Sequence, residues 1–379
     1  MKVTIAIDSF KGSLSSEESA KAAEDGIRKV YPGASIVKLT VADGGEGTVR
    51  AIASARGELC SMTVSGPLMK PTVAEYAILD GGVAVLEMAS AAGLTLLDEG
   101  ERNPMLTTTY GVGEMIRRLI LDGVRNFILG IGGSATNDGG VGMLSALGYK
   151  FLDSEGAQIT PNAKGLSRLN RIDSSEAMAE LAECSFRVAC DVDNPLCGER
   201  GASAVFAPQK GASPDDVKLM DGYLSRYAEL TAELFGEDFS SSSGAGAAGG
   251  LGFALIAYLG ARTEPGVGLV AELIGLEEHI KDSDVVITGE GRFDGQSLMG
   301  KAPVGIARVA KKYSKPTVAL CGAVGDGIGK AREEGISAVF AIPRSPATLA
   351  ECMDKERAYA NVAFTAEEIF SLLYAAGMR

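Results

Sequence analysis

The sequence predicts an α/β fold in which both ends of the chain form a doubly wound parallel sheet domain, with a second α/β domain inserted between them. Strand and helix patterns alternate in residues 1–56 and again from residue 284 onward, which is typical of parallel sheets. Residues 59–89 instead form short alternating strands. At 379 residues, the chain exceeds the usual length of a domain with one compact core. We therefore expect one domain at residues 1–60 plus 275–379 and another at 61–274.

The first predicted elements are a strand, a capped helix and a second strand. The strand covers residues 3–7, and Ser15 with Glu18 forms a capping box for the helix that follows. Residues 36–42 are mostly apolar, as expected of a strand that is covered on both faces. This opening therefore predicts a parallel sheet.

The later elements follow from the same periodicities. Residues 59–89 predict an antiparallel meander with turns at 65–67 and 80–82. Helices are predicted at residues 111–121, 141–147, 214–234, 251–259, 302–312, 327–334 and 365–377, and strands at 127–129, 186–189, 285–288, 316–320 and 338–342.

Composition excludes several classes of function. The net charge of −13 argues against nonspecific binding to nucleic acid or to anionic membranes. No apolar run is long enough to span a bilayer, and the N-terminus predicts a strand rather than a signal peptide. With one histidine and no CxxC pair among six cysteines, a zinc site is not expected. We expect a cytoplasmic protein with reduced thiols.

Glycines and charged residues follow five of the apolar strand patterns. These polar segments begin at Asp8, Asp43, Gly130, Asp191 and Gly289. Because the carboxyl ends of parallel strands meet at one sheet edge, such segments form the ligand sites of α/β enzymes. Lys11 and Arg292 would supply the local positive charge that a small anionic ligand needs in an acidic protein.

Three glycine-rich segments imitate nucleotide-binding motifs. Residues 295–302 have P-loop spacing, but Ala302 replaces the Ser or Thr that binds Mg²⁺, leaving a Gly-Lys pair that can still bind phosphate. Residues 130–135 fit the GxGxxA dinucleotide pattern, with a tight turn as the alternative. Residues 244–250 contain GxGxxG without a preceding strand. They predict either an anion-binding loop or an interdomain hinge.

Taken together, the motifs resemble those of the bacterial class I glycerate kinases. They are IAIDSFKGSLSSEESAKA, VADGGEGT, GIGGSATNDGG, ACDVDNPL, PQKGAS, GAGAAGGLG and TGEGRFDGQSLMGKAP. The resemblance implies ATP-dependent phosphorylation of D-glycerate with Mg²⁺, mostly to 2-phosphoglycerate, with 3-phosphoglycerate as the alternative product. It also implies a Rossmann-like domain with an inserted α/β domain and an active site in the cleft. Residue 7, directly before DSFKGS, is isoleucine, whereas members of this family often have proline there.

Residue roles are our own hypotheses. Asp191 is the expected catalytic base, and Lys11 is expected to stabilise the transferred phosphoryl group. Glu290 and Asp294 are the expected Mg²⁺ ligands. The expected substrate- and phosphate-binding residues are Asp8, Ser9, Gly44, Gly45, Gly132, Gly133, Ser134, Asn137, Asn194, Arg292 and Lys301.

Two other functions remain open from the sequence. The loop at Gly130 would suit a nucleotide-dependent dehydrogenase. Two α/β domains around a cleft would also suit a sensor of nucleotides or sugar acids that performs no chemistry. The carboxylates at the strand ends favour an enzyme, because a protein that only binds anions has little use for them. An oligomer is possible.

Overall fold

The computed structural model describes residues 1–41, 45, 47–299 and 301–378. Its strands are β1 (Lys2–Ile7), β2 (Ser35–Lys38), β3 (Gly57–Ser65), β4 (Pro71–Leu79), β5 (Val83–Glu87), β6 (Asn126–Gly130), β7 (Lys150–Leu152), β8 (Arg171–Asp173), β9 (Ser185–Ala189), β10 (Arg262–Glu264), β11 (Val285–Phe293), β12 (Thr317–Val324) and β13 (Ala338–Ala341). Its α-helices are α1 (Ser16–Val30), α2 (Thr48–Arg56), α3 (Ala89–Ala92), α4 (Tyr110–Leu121), α5 (Val141–Ala146), α6 (Ala163–Leu166), α7 (Ala202–Phe206), α8 (Pro214–Phe235), α9 (Ala247–Leu259), α10 (Gly266–Leu273), α11 (Leu276–Lys281), α12 (Ala302–Lys312), α13 (Leu349–Met353) and α14 (Lys355–Ala375).

The chain divides into two compact units. The terminal unit comprises Met1–Asp43 and Val267–Arg379, and the inserted unit comprises Gly44–Gly266. The first boundary falls earlier than the predicted one because α2 packs on β3 and β4 of the inserted unit. The second also falls earlier, so that α10 and α11 belong to the terminal unit apart from the first residue of α10.

The terminal unit contains a five-stranded parallel sheet in the order β13-β12-β11-β1-β2. Alternate residues of β12 enter different apolar cores: Val318 and Leu320 pack in one, Ala319 and Cys321 in the other. Helices therefore cover both faces, which confirms the doubly wound fold. At Gly26 on α1, a Cβ would overlap the carbonyl of Ala363 on α14, so only glycine permits this close helix contact.

Three predicted elements of this unit need correction. The strand predicted at residues 285–288 continues to Phe293, because its second half pairs with β12 as far as Val324. The terminal helix begins at Lys355 rather than at 365, where Asp354 caps it. The helix predicted at 327–334 is only the short 3₁₀ turn Ile328–Lys330.

The inserted unit contains a six-stranded mixed sheet in the order β10-β9-β6-β5-β4-β3. Strands β3, β4 and β5 are antiparallel neighbours, so the predicted meander is confirmed. Strands β5, β6, β9 and β10 are parallel. Phe127 and Phe186 stack with ring centroids 5.0 Å apart on the adjacent strands β6 and β9. A large apolar core packs around them.

Within the described part of the chain, no helix is both long enough and apolar enough to cross a membrane.

Candidate active site

In the terminal unit, the end of β1 lies beside the middle of β11. Ile7 pairs with Gly289, and the Asp8 N–H donates to the Gly289 carbonyl at 2.9 Å. From β1 the chain runs outward to β2, and from β11 it runs outward in the other direction to β12 and β13. Such a topological switch point leaves a crevice beyond the carboxyl ends of the strands, where ligands bind in doubly wound sheets.

A cavity of about 610 Å³ lies at these strand ends. Its volume is within the usual range for a small-molecule site. Six of the predicted site residues line it: Asp8, Ser9, Lys11, Glu290, Arg292 and Lys301. The structure therefore brings together the predicted residues of the DSFKGS motif and of the GEGRFDGQSLMGKAP segment.

The loop that carries Lys11 is held at both ends. The Asp8 carboxylate accepts the Ser9 N–H at 2.6 Å, and the Phe10 N–H donates to the Leu14 carbonyl at 2.9 Å. Ser15 and Glu18 form the predicted capping box at the start of α1. Lys11 itself is exposed and forms no hydrogen bond or ion pair with any residue that the structure describes, so its ammonium is available to an anion.

Glu290 is a buried carboxylate at the cavity wall. The side chain is only 9% exposed, its Oε2 lies 3.8 Å from Lys301 Nζ, and its Oε1 has no hydrogen-bond partner among the described residues. Burial raises the pKa of Glu290, and the charges of Asp8 and Asp294 add to this, whereas the Ser297 hydroxyl and the Lys301 ammonium lower it. A buried oxygen without a partner is costly, so this carboxylate is suited to bind a cation or a proton.

Asp294 is engaged differently from Glu290. Its Oδ2 accepts Arg292 Nε at 3.1 Å and its Oδ1 accepts the Gln296 N–H at 3.0 Å. The wall of the cavity, as described, includes Glu290 but not Asp294. Among the described residues there is no group of three or more His, Cys, Asp or Glu side chains that could hold a metal ion. In nucleotide sites Mg²⁺ is usually bound by one or two carboxylates together with phosphate oxygens and water.

In the inserted unit, the predicted residues of the glycine loop lie just beyond β6. Gly133 has a φ of 74°, which favours glycine, and its carbonyl accepts the Leu94 N–H at 2.9 Å. The Asn137 amide donates from Nδ2 to Ser203 Oγ at 2.8 Å, while its buried Oδ1 has no partner in the described part of the chain. Gly132 and Gly133 are exposed, so their backbone can reach a ligand.

The buried Lys210, for which the sequence predicts no role, donates hydrogen bonds to this loop. Lys210 Nζ donates to Ser134 Oγ and to the Thr136 carbonyl, both at 2.7 Å. Burial lowers the pKa of Lys210 to about 7, with Asp138 opposing the shift. Burial also raises the pKa of Asp138, although its carboxylate accepts four hydrogen bonds, two of them from Thr109. The PQKGAS motif was the only signal that could have pointed to Lys210.

Asp191 and Asn194 lie on the loop after β9. The Asp191 Oδ1 accepts the Gly266 N–H at 2.8 Å, and the Asn194 Nδ2 donates to the Arg200 carbonyl at 2.7 Å. Because β6 and β9 are parallel neighbours, with Gly130 opposite Ala189, this loop and the glycine loop leave the same edge of the sheet. Each of these two predicted residues is thus hydrogen-bonded to a backbone group.

Two predicted glycines belong to the VADGGEGT motif. Gly44 lies outside the described residues. The Gly45 carbonyl accepts the Thr48 N–H at 3.3 Å, at the start of α2. Beside it, the Glu87 carboxylate accepts the Val49 N–H at 2.6 Å, so an acidic side chain already caps this helix.

The comparisons with known proteins concern the chain as a whole. The model of the glycerate kinase family matches residues 3–374. The chain belongs to the glycerate kinase family. It is 47% identical to glycerate 2-kinase of Escherichia coli K12 over 100% of this chain and 99% of that protein. It is 45% identical to glycerate kinase of Bacillus subtilis 168, over 95% of this chain and 94% of that protein.

A solved structure gives the same result for the fold. A protein from Salmonella typhimurium LT2 described as glycerate kinase 2 superimposes with a TM-score of 0.88 at 43% identity, with complete coverage of both chains. The family resemblance expected from the motifs is therefore confirmed. As a member of this family the chain is an enzyme, a kinase that transfers a phosphoryl group to an alcohol.

Proposed function

We propose that this enzyme transfers the γ-phosphoryl group of ATP to a hydroxyl of D-glycerate and forms 2-phosphoglycerate. The observation that carries the proposal is the convergence of Lys11, Arg292 and Lys301 on one cavity at the switch point of a parallel sheet. Phosphoryl transfer depends mainly on positioning and on positive charge around the phosphates. The family supports glycerate as the acceptor, and the name of the Escherichia coli relative supports the 2-position.

Local charge explains how an acidic protein can hold a polyanion. The chain carries a net charge of −13, which repels ATP at a distance. Around the cavity, however, the Lys11 ammonium is unpaired with any described residue. The Lys301 ammonium lies 3.8 Å from the buried Glu290 carboxylate, its one acidic neighbour among those residues. Arg292 pairs through Nε with Asp294, which orients its guanidinium. In this proposal the three cations bind the phosphates. Asp8 and Ser9 lie at the start of the Lys11 loop, beside the phosphates.

Of the two predicted Mg²⁺ ligands, Glu290 is better suited to bind the ion than Asp294. Glu290 offers an orphaned buried oxygen at the cavity, so we infer that it holds the ion. Asp294 would join it only by releasing Arg292 or the Gln296 backbone. When bound, Mg²⁺ neutralises phosphate charge and draws electron density toward the leaving group.

Asp191 remains our proposed base for the glycerate hydroxyl. The hydrogen bond from the Gly266 N–H to its Oδ1 orients the carboxylate. A carboxylate so placed accepts the hydroxyl proton late in the transfer. Gly132, Gly133 and Ser134 would bind the substrate carboxylate through neutral donors, helped by Asn137 and Asn194. An active site shared by the two units stays a prediction, as do cytoplasmic location and any oligomeric state.

The deciding experiment is a coupled assay of ADP release with D-glycerate, ATP and Mg²⁺. Release of ADP that depends on glycerate supports the kinase, whereas ligand-induced stabilisation without turnover would favour a sensor. Adding enolase directly to the product separates the isomers, because enolase accepts 2-phosphoglycerate without a mutase. Formation of phosphoenolpyruvate only after a phosphoglycerate mutase is added would assign the 3-phosphate instead.

A further inference from the structure

One part of the wall of the terminal-unit cavity is apolar. This apolar wall consists of Ile342, Pro343, Ala347, Leu349 and Met353, all from the segment that follows β13. We propose that this apolar wall binds the adenine and ribose of ATP while Lys11, Arg292 and Lys301 bind the phosphates. The proposal rests on the proposed function, since it assigns the part of the co-substrate that the strand-end motifs leave without a site.

The cavity lining combines charged and apolar residues, as the binding of a nucleotide requires. D-glycerate is a small hydroxy acid without an apolar surface, so it has no use for such a wall. ATP joins a flat aromatic base to a polyanion, and small-molecule sites of about 300–1,000 Å³ combine apolar walls with a few polar groups in this way. The cavity, at about 610 Å³, has room for both parts.

The wall starts at the same sheet edge as the phosphate-facing residues. Cys321 pairs with Ala341, and the Ile342 N–H donates to the Cys321 carbonyl at 2.9 Å. A ligand that begins at the switch point between β1 and β11 would extend over the end of β12 toward this wall. Ligands of doubly wound sheets lie outside the carboxyl ends of the strands in the same manner.

Helix α13 fixes the apolar side chains in place. Thr348 caps it, with Glu351 completing the capping box, so that Leu349 and Met353 share one face four residues apart. A Cβ at Gly12 would collide with Met353 Cε, which places Met353 next to the loop that carries Lys11. Leu349 is 75% exposed and Met353 is 37% exposed. Large apolar side chains exposed around a concave site mark a place where an apolar group binds.

The first test replaces Leu349 by glutamine. Because Leu349 is mostly exposed, the polar side chain leaves the fold intact and removes an apolar contact with the base. We expect the KM for ATP to rise roughly tenfold and the KM for glycerate to stay the same. Leu372→Gln is the matched control, since Leu372 is 68% exposed on α14 and does not line the cavity; it should leave both constants unchanged.

The second test uses Cys352 as a reporter. This partly buried thiol is free and lines the cavity. The rate of its alkylation by N-ethylmaleimide is measured by peptide mass spectrometry with adenosine or with inorganic tripolyphosphate at equal concentration. We expect stronger protection by adenosine than by tripolyphosphate.

The outcomes separate this inference from the proposed function. An unchanged KM for ATP in Leu349→Gln, or protection by adenosine no greater than that by tripolyphosphate, would overturn the apolar wall as the nucleoside site. Wild-type enzyme that releases no ADP with D-glycerate would instead refute the proposed function. In that case the Cys352 measurement still decides where a nucleoside binds.

Discussion

Replacing Lys210 by methionine should remove a pH dependence of stability from the inserted unit. The Lys210 ammonium is buried beneath the glycine loop, where its pKa falls from 10.5 to about 7. Between these two pH values the unfolded chain binds a proton at this side chain and the folded chain does not. Folding stability therefore rises with pH through this window; as the pH falls from 10.5, this gain is lost progressively and is gone once the pH is below about 7. Methionine fills a similar volume and carries no proton.

The size of the effect follows from the same two pKa values. One proton bound only in the unfolded state changes stability by at most about 1.4 kcal/mol per pH unit. From about pH 7 to about pH 9, the wild type should gain about 2 kcal/mol relative to Lys210→Met. The attraction of Asp138 opposes the shift of Lys210, and the value of about 7 already includes it.

The assay is urea unfolding of both proteins at the two pH values, with hydrogen exchange of peptides from the inserted unit to localise the change. Lys218→Met is the control, because the Lys218 side chain is 80% exposed in α8 of the same unit, and it should keep the wild-type slope. Equal slopes for Lys210→Met and wild type would show that Lys210 is not deprotonated in the folded protein, and would refute the reasoning.

Three further predictions concern the candidate active site. Lys11→Ala should lower turnover about a hundredfold or more if the ammonium stabilises developing charge; near-wild-type turnover would make Lys11 a solvated loop residue. Asp191→Asn keeps the shape and the Gly266 contact, so it should lower kcat strongly with little change in ATP affinity or Tm, and a folded variant with normal turnover would exclude Asp191 as the base. Glu290→Gln should shift the Mg²⁺ titration of activity to higher concentration and Asp294→Asn should shift it less, because Asp294 is already occupied by Arg292. Equal Mg²⁺ titrations in both variants and wild type would remove these carboxylates as ligands.

The residues at the end of β1 and along β11 that line the cavity could be predicted because their signals are local. Ser15 and Glu18 mark where α1 must begin, which fixes the Lys11 loop between a strand end and a helix start. Parallel strands then bring that loop beside the end of β11, whatever the packing of the rest. For this reason the sequence predicts that Asp8 and Glu290 lie at the same sheet edge.

Other features depend on tertiary contacts and carried no usable local signal. Glycines at 289 and 291 indicate a turn, yet pairing with β12 keeps these residues in a strand; tertiary context overrides local propensity. Lys210 ends the run AVFAPQK, and these residues do not by themselves show that the lysine is buried. The apolar wall lies in residues 342–353, whose two prolines and scattered polar residues predict a loop.

The extra length of β11 explains how one strand supplies both a negative and a positive side chain to the cavity. Strand β1 ends at Ile7 opposite Gly289, whereas β11 continues beside β12 to Phe293. Glu290 and Arg292 lie two residues apart on this extension, so they share one face of the strand. The extension thus places the Glu290 carboxylate and the Arg292 guanidinium in the wall of the cavity that Lys11 also lines. Because β11 outruns β1, side chains fixed on its backbone can reach the crevice that the switch point leaves open.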